Sequence, residues 1–208
     1  MKFIFSFLFF IFAFGSLSQG LKLNQISLMG GKNFSSFRFR DSDGNKDKTL
    51  DFVALNSFGI NANFSANKHI LRPELMLRQA GAKSDINGTA LSWLMNYLDL
   101  NVAYLYSFLQ TERFSVSPGL AVGFGYMQSG EQYIGTMRYS LVSTKALSRF
   151  DCGLQGITNF KAQISENINL SFEYRFGMGI TQIEKDVTPQ KTYNIYHSAL
   201  LGLGLIIK

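Results

Sequence analysis

Apolar and polar side chains alternate with a period of two along much of the chain, the pattern of half-buried β-strands. The alternation is sharpest over residues 114–126, where Phe114, Val116, Pro118, Leu120, Val122, Phe124 and Tyr126 alternate with Ser115, Ser117, Gly119, Ala121, Gly123 and Gly125. Over residues 168–180, Leu170, Phe172, Tyr174, Phe176 and Met178 alternate with Asn169, Ser171, Glu173, Arg175, Gly177 and Gly179. Residues 70–79 set Leu71, Pro73, Leu75 and Leu77 against Arg72, Glu74, Met76 and Arg78. Residues 94–108 set Leu98, Leu100, Val102 and Tyr104 against Tyr97, Asp99, Asn101 and Ala103. Weaker runs at 25–34, 50–64, 150–162 and 193–207 bring the total to eight. Each run is roughly ten residues or longer, enough for a tilted strand to cross a hydrocarbon core. In the first run Lys32 falls on the apolar face, which predicts either a bulge at Gly30-Gly31 or a lysine at a membrane interface.

The connections alternate as well. Tight segments near 65–68, 110–113 and 165–167 separate longer polar ones at 35–49, 83–89, 128–148 and 184–192. Short turns at one end and long loops at the other predict an all-β fold: an eight-stranded antiparallel up-and-down transmembrane β-barrel with periplasmic termini. A soluble barrel with an apolar interior would alternate too, but its water-facing side would be rich in Lys and Glu. Here the polar face is mainly Gly, Ser, Ala and Asn, which suits a narrow lumen filled by side chains. The other face is a band of Phe, Leu and Tyr that only lipid or a partner could cover.

The amino terminus reads differently. Lys2 precedes an apolar run over residues 3–14, interrupted only by Ser6, and then Ser16-Leu17-Ser18. The run is shorter than the roughly 20 residues of a spanning helix and matches a signal peptide. The expected organisation is a signal peptide at 1–18 and one barrel domain at 19–208. Amino-terminal mass spectrometry of a membrane fraction should find Gln19 first. Retention of Met1 or Lys2 would overturn the export reading.

The net charge of +6 is modest, and basic residues share loops with acids instead of forming a stripe, so no nucleic-acid partner is expected. One cysteine, Cys152, leaves no intramolecular disulfide and no cysteine-based zinc site. Downstream of the signal no apolar stretch approaches a spanning helix, so a membrane role must use strands.

Several short motifs resemble the PorT-like outer-membrane β-barrel family. They are Arg72-Pro73-Glu74-Leu75, Gly81-Ala82-Lys83, Tyr97-Leu98-Asp99-Leu100, Gly119-Leu120, Phe150-Asp151-Cys152-Gly153-Leu154, Tyr174-Arg175-Phe176-Gly177 and Gly202-Leu203-Gly204. The resemblance covers nearly all of the chain after the signal and implies fold and location. Some members are linked to protein secretion or gliding. Asn101 stands where the family usually has Pro, and the chain ends Ile207-Lys208 instead of on an aromatic residue. Membrane lipid and the barrel-insertion machinery are the expected partners, in the outer membrane of a Gram-negative bacterium.

Taking the polar face as lumenal places Arg72, Glu74, Arg78, Asp99, Asp151, Glu173 and Arg175 inside the barrel. Charges so confined are expected to pair as a structural network, because an unpaired buried charge costs several kcal/mol. No catalytic, cofactor or metal site is expected. The two histidines, His69 and His197, lack His-x-x-x-His spacing and sit beside no Ser/Asp pair. Gly202-x-Gly204 lacks the third glycine and the helix of a dinucleotide site. Asn87-Gly88-Thr89 reads as a turn, and Cys152 as a small apolar side chain. Two functions remain open. One is a structural or interaction protein engaging a partner through its long loops, above all 128–148 with Tyr133, Ile134, Met137 and Tyr139. The other is small-solute transport or polar or lipid ligand binding through the lumen or rim.

Overall fold

The expected alternation is realised as strands throughout the computed structural model, which describes residues 20–40, 45, 49–86, 88–144, 147–184 and 191–207. The signal peptide expected at 1–18 and its expected cleavage point lie outside the described residues. The strands are β1 (Lys22–Arg40), β2 (Val53–Ala66), β3 (His69–Ile86), β4 (Thr89–Tyr106), β5 (Leu109–Gln110), β6 (Phe114–Ile134), β7 (Met137–Ser140), β8 (Phe150–Gln163), β9 (Ile168–Gly179) and β10 (Lys191–Ile206). Eight long strands follow the order β1-β2-β3-β4-β6-β8-β9-β10, and β10 pairs back onto β1 from Gln25 opposite Ile206 to Arg40 opposite Lys191. Every neighbour is antiparallel, so the ring is a closed up-and-down barrel. Closure satisfies the backbone without an exposed sheet edge, the condition for standing in lipid. The short strands β5 and β7 are added onto β6 at its two ends. Among the described residues no helix is long and apolar enough to cross a membrane.

The strands overrun the expected boundaries at the loop end, and the reason is local pairing. β3 and β4 stay paired up to Ile86 opposite Thr89. The segment 83–89, expected as a long loop, is therefore a hairpin that stays paired almost to its tip, where Gly88 has φ 80° and donates its N–H to Asp85 Oδ1. The segment 128–148 likewise begins as strand: β6 runs on to Ile134, turns through Gly135 at φ 58°, and returns as β7. Residues 35–40 of the first expected loop continue β1.

The bulge at Gly30-Gly31 is not formed. β1 stays in register with both neighbours there; its irregularity lies between Leu23 and Gln25. Lys32 instead stays outward and exposed, donating to Asn56 Oδ1 at 2.9 Å.

Outward-facing apolar side chains are open: Leu28 is 64% exposed, Leu120 71% and Leu203 58%. The interior holds the small and polar partners of the same alternation. At the loop end, above the polar interior, Phe37, Ala80, Ala82, Met95, Tyr97 and Met127 from the walls pack with Leu141 and Ile183 from the connections. This apolar plug was not expected, since the inward face reads as polar over most of the strands.

Candidate functional site: a charged lumen under an apolar plug

All seven acids and bases assigned to the lumen are buried inside the barrel. Each stands at an inward position fixed by the two-residue period: Arg72, Glu74 and Arg78 on β3, Asp99 on β4, Asp151 on β8, Glu173 and Arg175 on β9. They form two groups. In the first, Arg72 reaches Glu74 at 2.6 Å and Glu173 at 2.7 Å, while Arg175 reaches Glu74 at 2.7 Å and Glu173 at 2.5 Å. This closed ring of two cations and two anions spans the barrel, because β3 and β9 stand on opposite walls. Asn159 donates to Glu173 and Asn101 to Glu74, so polar amides occupy further carboxylate lone pairs.

The second group lies towards the loop end. Arg78 contacts Asp99 at 2.5 Å and Asp151 at 3.5 Å. Its guanidinium lies between the rings of Tyr97 and Tyr196, 4.7 and 4.8 Å from their centroids. Asn194 donates to Asp151 at 2.7 Å. A planar, delocalised cation suits such stacking better than lysine would.

The glycines of β6 and β9 make room for these groups. A Cβ at Gly125 would stand 2.6 Å from Asp99 Oδ1, and one at Gly177 would overlap the Tyr196 ring directly opposite. Small residues on those walls are thus a steric requirement of the large ones facing them.

A member that the sequence reading missed is Lys161, which shares the parity of Asp151 on β8. It is partly buried and donates to Gln25 Oε1 at 2.7 Å. With it, Arg72, Arg78, Arg175 and Lys161 balance Glu74, Asp99, Asp151 and Glu173. On the turn side of the ring, Ile70, Leu105 and Ile157 pack with Ala103 and Ala121.

Little space remains around the charges. The crevices beside Arg78 and beside Arg175 hold about 10 Å³ each, on the order of one water. A polar vestibule of about 320 Å³ opens at the turn end, lined by Gln25, Lys161, Asn169 and Arg113 among others. A smaller cavity of about 140 Å³ lies beside the plug, against Phe37, Leu50, Trp93 and Ile183.

The histidines stand on the outer surface. His69 shares a 2.6 Å hydrogen bond with the Tyr104 hydroxyl, and His197 one of 2.6 Å with Tyr174. Cys152 is half-buried on the outer face, opposite Phe124. Among the described residues no group of three His, Cys, Asp or Glu side chains could hold a metal ion.

A closed eight-stranded antiparallel barrel, apolar outside and packed with polar side chains inside, is the architecture of the small outer-membrane β-barrels. The likeness to one solved structure agrees. Neisserial surface protein A is 12% identical, with 90% of this chain and 99% of that chain covered at a TM-score of 0.53. OprG from Pseudomonas aeruginosa is 16% identical, with 91% and 98% covered at a TM-score of 0.49. At such an identity the likeness to the Neisserial protein is one of fold alone. No family model and no curated protein sequence matches the chain.

Proposed function

We propose that the chain is an exported barrel of the Gram-negative outer membrane. Its role is structural or interactive, without catalysis, and its lumen is packed by charge instead of forming a wide pore. The observation that carries this reading is the ring of Arg72, Glu74, Arg175 and Glu173 spanning the interior from wall to wall. The motifs that resemble PorT-like proteins support the same assignment of location. The β6–β7 hairpin beyond the plug exposes Ile134, Met137 and Tyr139 (38, 63 and 41%) and is the surface offered to a protein partner.

In planar bilayers the wild-type protein should show little or no steady conductance. A large and stable conductance would overturn the packed-lumen reading. It would favour the second reading, transport or binding of a small polar solute, which the 320 Å³ turn-end vestibule supports.

The membrane location has its own test. The apolar exterior has no protein layer over it, so folding should require an amphiphile. In neutral detergent micelles the chain should give β-rich circular dichroism and a heat-modifiable band in SDS gels. A folded, monodisperse protein in plain buffer would contradict the membrane reading.

A further inference from the structure

Outside the lumen, a second concentration of charge lies along the seam where β1 and β10 close the barrel. Arg40 stands directly opposite Lys191, and both side chains are exposed. Like charges facing each other across a strand pair destabilise it. Next along the same outer face, Arg38 stands opposite Tyr193, its guanidinium 4.9 Å from the ring centroid. Farther towards the turn end comes Lys32, whose amine bonds Asn56. Among the described residues none of these four cations has a carboxylate partner, whereas Arg138 on the β6–β7 hairpin is paired with Glu131.

The seam also has a fixed place relative to the apolar surface. At its lower part His197 sits among Phe176, Phe52 and Tyr174, with ring centroids 5.1, 5.8 and 6.0 Å away. Aromatic collars of this kind mark the boundary between hydrocarbon and headgroups. Below the collar on the same two strands lie the exposed Leu28, Leu201 and Leu203. Above it come Arg38, Arg40 and Lys191. Apolar surface for acyl chains thus runs directly into cations for a phosphate.

We infer that the β1–β10 seam binds the phosphate of an anionic lipid headgroup in the leaflet at the loop end. The anion would neutralise the facing Arg40 and Lys191. This inference rests on the proposed membrane location.

The test uses the full barrel in neutral detergent micelles, with native mass spectrometry counting retained lipid. Heat-modifiable folding is recorded first for every variant, which tests the membrane reading separately. Wild-type protein should retain phosphatidylglycerol at roughly thirtyfold lower lipid concentration than phosphatidylcholine, the scale expected for two surface cations. Arg40→Gln/Lys191→Gln should abolish that preference, and Lys22→Gln/Lys83→Gln, which removes exposed cations elsewhere, should keep it. A folded wild type without preference for the anionic lipid overturns the inference alone. So does equal loss in both double variants. Inorganic phosphate that displaces phosphatidylglycerol at equal concentration would mark a site for free phosphate and overturn the lipid assignment.

Discussion

Arg175→Met is expected to lower the unfolding free energy by about 3–5 kcal/mol, the usual cost of leaving a buried charge without its partner. Methionine keeps most of the volume, so the loss reports charge more than cavity. In the variant Glu74 and Glu173 would share Arg72 alone, two anions facing one cation in a dry interior. Adding Glu74→Gln removes the surplus anion and leaves the neutral pair of Arg72 and Glu173, 2.7 Å apart. The double variant should therefore be more stable than Arg175→Met alone, and the two effects should fall well short of additive. Urea unfolding in micelles can be followed through Trp93, the chain's single tryptophan, which packs against the loop-end plug. Additive and near-neutral effects would mean that the ring contributes no cooperative stability.

Much of this architecture was legible because a barrel wall has only two faces. Once alternation fixes which face a residue takes, Arg72 and Glu173 must be inside, whichever strands turn out to be neighbours. Partner choice was not legible. The contact between Arg72 and Glu173 crosses the barrel from β3 to β9, and no local pattern encodes which wall faces which. Lys161 could have been placed by its parity with Asp151. Its strand is interrupted by Gly153 and Gly156, however, and its alternation is weak. The plug was hidden for a different reason. Leu141 and Ile183 come from connections, where periodicity says nothing, and they meet Phe37 on a stretch of β1 expected as loop together with Met95 and Tyr97, isolated apolar positions on the inward face of β4. Lys32 shows the limit of pattern in the other direction. A charge on the apolar face left two alternatives, a bulge or a lysine at an interface, and the exposed lysine bonded to Asn56 needs no bulge.

The steric fit of the walls makes Gly177→Val the other substitution with a large expected effect. Tyr196 lies flat over Gly177, directly opposite on β10, and its ring in turn lies 4.8 Å from the Arg78 guanidinium. A side chain at 177 must push the ring towards Arg78, whose Nε stands 2.5 Å from Asp99 with no slack on the far side. Overpacking a filled interior costs roughly 1–3 kcal/mol, and more where neighbours cannot move. Gly156→Ala is the matched control, since nothing lies within 4 Å of a Cβ there, and it should leave the midpoint of urea unfolding unchanged. Combining Gly177→Val with Tyr196→Ala gives the valine the space vacated by the ring, so the pair should cost less than the sum of the two single changes. If Gly177→Val unfolds with the wild-type midpoint, the Tyr196 ring has room to turn aside. The packing between Gly177 and Arg78 would then be looser than its geometry implies.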